Sequence, residues 1–486
     1  MVKEARPGPA LRSRRASAAL WLIVFAVVGV GLVAAYAVVP RPAPQPNIVL
    51  VVIDALRRDH VGAYGYPRPV TPFLDEVARR GVVFDNAWSH APQTFNATAA
   101  LLTGQVAPLL VRRNARPEEL WTIYRLADQN STLAEMLAEV GYDTLGVFTN
   151  PHHAPEATFA QGMRLSRYLP GTSKAHGHAL AEEVNAAAKD LVAELDPSRP
   201  FFAYVHYMDV HNPYLPPEHL KRVFQTTWGR DFYRNGTFEE REPKPSLRDL
   251  RFMVDSYDAC IRYVDDSLRE LFPMFESVSR GRETIFIVTA DHGDEFMEHG
   301  GLGHGHTVYQ ELLRVPLIVQ GGRLPAGVRV ASIARGIDVM PTLAELAGRE
   351  APPTSEGRSL LPLIAAAAAS DESAAASGAA PGTKPSSERV YNFAWFSRLR
   401  SITDGNFHMP RNDPGVLELY DVRSDPLDQN NLAEAQPDVI RRMRFVLLGF
   451  ERRLRKSREA SSELHEDQPE VDPQTVEQLR ALGYVE

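Results

Sequence analysis

Apolar positions fall along this chain in two alternating patterns: short solid runs, and stripes repeating every three to four residues. Together they mark buried parallel strands separated by amphipathic helices. Asn47–Ile53 (NIVLVVI) and Thr284–Thr289 (TIFIVT) are β-branched runs, and Val82–Trp88, Asp143–Thr149 and the aromatic run Phe201–Tyr207 read as further strands. Thr71-Pro72 opens a helix with proline at its first position, Leu74, Val77 and Ala78 on one face, and Gly81 as its stop. Thr132-x-x-Glu135 forms a capping box before Leu133, Met136, Leu137 and Val140, and Gly141 ends that helix. Another helix fits Ala179–Leu195, and Tyr257, Ile261, Val264 and Leu268 recur at helical spacing around Cys260. The rhythm predicts an α/β fold with a mainly parallel sheet flanked by helices.

At both ends the pattern changes. Ala18–Val39 is an unbroken apolar run of 22 residues, long enough at about 1.5 Å per residue to cross a bilayer core of about 30 Å. Arg12, Arg14 and Arg15 precede it, which predicts a signal anchor with the N-terminus cytoplasmic and the body outside, in the periplasm or the extracellular space. Ala35-Tyr36-Ala37 has the form of a cleavage site, so a removable signal peptide is the rival reading. Ala365–Ser387 is low-complexity and poor in large apolar residues, and is expected to be a flexible insertion. Beyond it Arg389–Phe396 and Leu417–Val422 read as strands of a small sheet, and Val439–Leu454 as a helix. The expected divisions are a cytoplasmic basic segment (1–17), a transmembrane anchor (18–39), a spacer (40–46), a core (47–364), a linker (365–388) and a C-terminal subdomain with its tail (389–486).

Of the 53 basic and 61 acidic residues, six and one respectively lie in residues 1–45, leaving the body at about −13. Such a body does not hold nucleic acid by charge, and an anionic substrate must be met by local metal or imidazole charge. The lone Cys260 forms no internal disulfide, and its helical surroundings predict core packing rather than chemistry.

Chemistry-bearing side chains collect where predicted strands stop, the edge at which open α/β sheets bind ligands. Asp54 follows Ile53, with Arg57 three residues on; Asp291, His292 and Asp294 follow Thr289. His299, His304 and His306 then recur among glycines, and this carboxylate–imidazole density reads as metal chemistry rather than as a Gly/His surface loop. Asp209 and His211 lie just past Tyr207, whereas His206, inside the strand, reads as a core histidine. Thr94 stands near the start of the helix closed by Gly104, where the positive dipole end favours an anion or an alkoxide. Taken alone it is also the position of an ordinary N-cap threonine.

These stretches, NIVLVVIDALRRDHVGAYGY (47–66), APQTFNATAALLTG (91–104), FFAYVHYMDVHNPYLPP (201–217), IVTADHGDEFMEHGGLGHGHTVYQELLRVPLIV (287–319) and LELYDVRSDPLDQNNLAE (417–434), resemble in order the motifs of the sulfatase family of the alkaline phosphatase superfamily. The resemblance implies an alkaline-phosphatase-like core with a small C-terminal antiparallel sheet and a metal-dependent ester hydrolase. It carries Asp54, Asp291, His292 and Thr94 over as metal ligands and Thr94 as nucleophile. Arg57 matches the arginine of the first motif, His211 the histidine on the substrate oxyanion, and His304 the group beside the leaving atom.

The departures carry information too. Where sulfatases present a cysteine or serine that matures to formylglycine, this chain has Thr94, which cannot become that aldehyde, and Thr98 replaces the arginine of that pattern. Ala55 replaces one carboxylate and His292 an asparagine, which moves the site from the calcium of the family towards zinc or manganese. The lysine–histidine motif is missing around Thr149-Asn150. His306 and Asp209 are the candidates for a second metal site. The expected function is a membrane-anchored hydrolase of sulfate or phosphate esters on a glycan, lipid or small molecule, without nucleic acid as partner. The alternatives are a phosphoethanolamine- or phosphoglycerol-type transferase and a silent glycan-binding member.

Overall fold

An aliphatic run placed mid-sheet has to be covered on both faces, and Asn47–Ile53 is buried at all seven positions. The computed structural model describes residues 45–112, 124–171, 177–227, 229, 236–237, 243–377, 389–412, 415–462, 475 and 477–478. In it eight strands form one sheet: β1 (Asn47–Ile53), β2 (Val82–Trp88), β3 (Asp143–Phe148), β4 (Leu165–Tyr168), β5 (Phe201–Tyr207), β6 (Thr284–Thr289), β7 (Leu317–Gly321) and β8 (Val328–Arg335). Their order is β8-β2-β7-β6-β1-β5-β3-β4. Every neighbouring pair is parallel except the two made by β7, which runs against β2 and β6. The expected α/β core with its mainly parallel sheet is therefore present.

The principal helices are α1 (Pro72–Arg79), α2 (Thr94–Thr103), α3 (Leu133–Glu139), α4 (Ala181–Ala193), α5 (Leu247–Ser277), α6 (Val339–Leu346), α7 (Leu361–Ser377) and α8 (Pro437–Ser462). The capping box of α3 forms as expected: Glu135 N donates to Thr132 Oγ1 at 3.2 Å and Thr132 N to the Glu135 carboxylate at 2.9 Å. At α1 the local cue misleads, because Thr71 makes no capping bond. Asp265 of α5 does that work from 191 residues away, accepting from Phe73 N and Leu74 N at 2.8 Å each. Cys260 is buried in α5, as its spacing predicted.

The expectation of a flexible linker over 365–388 is corrected for its first part. Residues 365–377 continue α7, since alanine needs no large core to favour a helix. Ile364 and Ala367 are buried, and the helix packs against β8. Residues 378–388 lie outside the described residues, as does most of 228–242. The C-terminal sheet consists of β9 (Asn392–Phe396), β10 (Leu399–Thr403), β11 (Phe407–Arg411) and β12 (Tyr420–Asp421), all antiparallel. It is pinned to the core through Asp428, which pairs with His408 Nδ1 at 2.7 Å and accepts from Gln310 N at 3.0 Å. Among the described residues no helix is long and apolar enough to cross a membrane, and the apolar run 18–39 lies outside them.

Candidate active site

Four neighbouring parallel strands, β6, β1, β5 and β3, end at one edge of the sheet, and each brings a polar residue there. Asp54 follows β1, Asn150 lies two residues past β3, His206 is the penultimate residue of β5, and Asp291 and His292 follow β6. Helix α2 begins at the same edge. Its cap is Gln93, which accepts from Phe95 N at 2.8 Å, so Thr94 is the first helical residue and its hydroxyl is not used for capping.

The Thr94 hydroxyl lies 3.2 Å from His292 Nε2 and 3.4 Å from Asp54 Oδ2. His292 Nε2 is in turn 3.5 Å from Asp54 Oδ1 and 3.6 Å from Asp291 Oδ2. Backbone contacts set these orientations. His292 Nδ1 donates to the Gly293 carbonyl at 3.0 Å, which leaves the Nε2 lone pair turned inward. Asp291 Oδ1 accepts from Ala55 N and His292 N. The remaining oxygens, Asp54 Oδ1 and Asp291 Oδ2, are buried without any hydrogen-bond partner. Burial, and then the charge of Asp291, raises the Asp54 pKa well above the carboxylate range.

Two converging orphaned carboxylate oxygens and an inward imidazole nitrogen, all within 4.8 Å of one another, fit a divalent cation, which would satisfy them and relieve their repulsion. The expected ligands Asp54, Asp291, His292 and Thr94 are thus brought together.

Two further residues join this group unforeseen. Asn150 Nδ2 donates to Asp54 Oδ2 at 2.8 Å and to Thr94 Oγ1 at 3.2 Å, while its Oδ1 accepts from His152 N. The signal was its place just past a parallel strand, at the point where the lysine–histidine motif is missing. His206, expected to be a core residue, holds Nε2 buried, without a hydrogen-bond partner and 3.7 Å from Asp54 Oδ2, while Nδ1 meets Thr149 Oγ1 at 2.9 Å. Burial lowers its pKa to about 4. An imidazole in an otherwise apolar and aromatic strand was the available clue.

Beside His292 lie His304 and His211: the His304 ring centre is 4.2 Å from that of His292 and 4.8 Å from that of His211. Asp294 holds His304 through Nδ1 at 2.6 Å and accepts from Tyr214 Oη at 2.6 Å. Burial, then the neighbouring imidazoles, keep His304 and His211 well below the usual histidine range.

Arg57 is not brought to this group. Its guanidinium is taken up by Asp59 at 2.8 Å, Glu298 at 2.6 Å and the Asp294 carbonyl at 3.0 Å, so it braces the loop that carries Asp294 and Glu298. The suggested second metal site of His306 and Asp209 is likewise not assembled: His306 pairs with Glu295 at 2.7 Å, and Asp209 accepts from Ala181 N at 3.0 Å. The second cluster with metal-ligand geometry is His292, Asp294 and His304. His60 pairs with Asp258 at 2.8 Å and His299 stacks on Tyr309, so neither joins the site.

Comparison with known proteins fits this geometry. The chain is 24% identical over 444 residues to a delta 4,5-hexuronate-2-O-sulfatase of Bacteroides thetaiotaomicron, covering 80% of this chain and 85% of that one. Its fold is shared with a protein solved in complex with its substrate D-glucosamine-2-N,6-O-disulfate, with a TM-score of 0.64 at 17% identity over 85% of this chain and 98% of that one. The phosphonate monoester hydrolase of Agrobacterium radiobacter shares it too, with a TM-score of 0.60 at 20% identity over 86% and 96%. The sulfatase family model matches residues 46–349, more than half of the sequence and the whole of the strand-end site, so the chain belongs to the sulfatase family of the alkaline phosphatase superfamily, whose members hydrolyse ester bonds.

Proposed function

We propose that the chain hydrolyses sulfate or phosphate esters through a direct Thr94 nucleophile, at a site held outside the cytoplasm by an apolar anchor at residues 18–39. The observation that carries the reading is the convergence, at the start of α2, of the Thr94 hydroxyl with the orphaned oxygens of Asp54 and Asp291. A divalent ion held by Asp54, Asp291, His292 and Thr94 would lower the hydroxyl pKa and offset charge on the transferring oxyanion. An imidazole and two carboxylates, with His206 Nε2 close to Asp54, favour zinc or manganese over calcium.

The residues of the chain then divide the work. Thr94 Oγ, as alkoxide, forms a bond to sulfur or phosphorus as the ester bond to the leaving oxygen breaks. A protonated His304, held by Asp294, gives its proton to that oxygen, and His211 contacts the oxyanion. Water next attacks the threonyl ester, His304 recovers a proton from it, and Thr94 is released as alkoxide. Asp294, 2.6 Å from His304 Nδ1, would stabilise the imidazolium against the burial that otherwise favours the neutral ring. Between the two ester classes, an unmodified hydroxyl leans to phosphorus: a threonyl ester is resolved by attack at the central atom, without the carbonyl hydrate that formylglycine supplies.

The test is turnover by the full-length protein of paired aryl sulfate, phosphate monoester and phosphodiester substrates, each with zinc, manganese or calcium, beside Thr94→Ala. Phosphoester turnover that falls by about four to six orders of magnitude in Thr94→Ala, assayed at saturating metal, is the expected result. Sulfate release that survives the substitution would overturn the nucleophile.

A further inference from the structure

Six large apolar side chains are exposed among the described residues, and Phe445 and Leu448, 80% and 44% exposed, share one helix face. Both sit on α8. At 100° per residue, Arg441, Arg444, Phe445, Leu448, Arg452, Arg455 and Lys456 fall within about one third of the helix circumference, and all are exposed. The opposite face, with Met443, Leu447, Phe450 and Leu454, is buried in the core. Arg444, Arg452, Arg455 and Lys456 make no ion pair or hydrogen bond among the described residues, in contrast to Arg442, which is bound to Asp404, and Arg453, which faces Glu356. Two acids share this sector, Asp438, which pairs with Arg441, and Glu459, yet the stripe remains mainly cationic, with two apolar side chains at its centre, on a body of net charge about −13.

We propose that this face of α8 lies on an anionic lipid surface, with Phe445 and Leu448 entering the headgroup boundary and the arginines pairing with lipid phosphates. Two isolated apolar side chains are far from the roughly 800 Å² that a stable protein partner covers, whereas a basic helix with a few apolar residues suits an interface. The fold supports the placement. Arg453 faces Glu356, whose N–H donates to the Gly104 carbonyl at the C-terminal end of α2, so the later turns of α8 lie at the end of the sheet opposite Thr94. Gln45, where the chain enters β1, lies at that end also, bound to Ala347 at the close of α6. The apolar run 18–39, proposed above as the anchor, ends six residues before Gln45 in the sequence. The inference stands apart from the chemistry at Thr94.

The test uses the full chain in nanodiscs of phosphatidylcholine alone or mixed with phosphatidylglycerol. Because Cys260 is buried, Leu448→Cys supplies a single site for an environment-sensitive fluorophore, and Val223→Cys, on another exposed surface, is the control. The label at 448 is expected to shift to the blue and to lose collisional quenching by an aqueous quencher only with anionic lipid. High salt should reverse this, and each of Arg444→Glu, Arg452→Glu and Arg455→Glu should weaken it at least about fivefold. A label at 448 that stays exposed to quencher in both discs overturns the proposal. So does one shielded equally without anionic lipid, which would mean that a second copy or the acidic C-terminal tail covers the helix.

Discussion

Asn150 is the residue whose importance follows most directly from geometry. Its amide ties the candidate nucleophile to a candidate ligand, so Asn150→Ala should lower kcat/KM and metal affinity by about 10- to 100-fold without unfolding the protein. Steady-state kinetics alongside metal titration would check this, and unchanged values for both would show the contact to be idle. Asp209 gives the clearest pH dependence. Burial raises its pKa to about 7, against about 3.9 in an unfolded chain. Between those values the unfolded state has released the proton that the folded state keeps. This residue's contribution is therefore present below about pH 4 and is lost as pH rises through about 7. Asp209→Asn keeps an acceptor for Ala181 N and removes the titration, so its stability gain over the parent should grow from pH 4 to pH 7 in urea melts. A gain independent of pH would contradict the assignment.

At the scale of elements, local signals worked where the cause was local. The α3 box forms from four consecutive residues, and the strand runs at 47–53, 82–88, 201–207 and 284–289 appear with the boundaries the sequence reading assigned them. They failed where a distant partner intervened. Asp265 takes over the cap of α1, so Asp265→Ala should cost about 1–2 kcal/mol in denaturant unfolding, a loss that Thr71→Ala should not reproduce through capping. Equal losses would mean that Thr71 carries the cap after all. The alanine-rich start of 365–388 was misread because low complexity was taken as disorder, although alanine's intrinsic preference is helical.

For the molecule as a whole, the repulsion stored between Asp54 and Asp291 links metal to stability. Chelation should lower Tm, and restoring a cation to about one hundred times its Kd should return about 2.7 kcal/mol. Calorimetry with and without chelator would read this, and a Tm insensitive to metal would count against the site. The five motifs, read in order, were enough to name the family, the strand-end edge and the residues Asp54, Thr94, Asp291, His292, His211 and His304, because periodicity and strand ends are properties of short windows. Which side chains finally meet is a property of sheet order. β1 lies between β6 and β5, and β3 is the next strand beyond β5, so Asn150 reaches Asp54 past one intervening strand and across 96 residues, and His206 turns to the same carboxylate. Arg57, beside Asp54 in the chain, is drawn away by Glu298, 241 residues distant. The sequence alone thus determined the elements and the chemical types gathered at the sheet edge. Only the tertiary structure decided which of them share a centre, because a guanidinium or an amide goes to whichever partner the packed chain sets within hydrogen-bond reach, wherever that partner lies in the sequence.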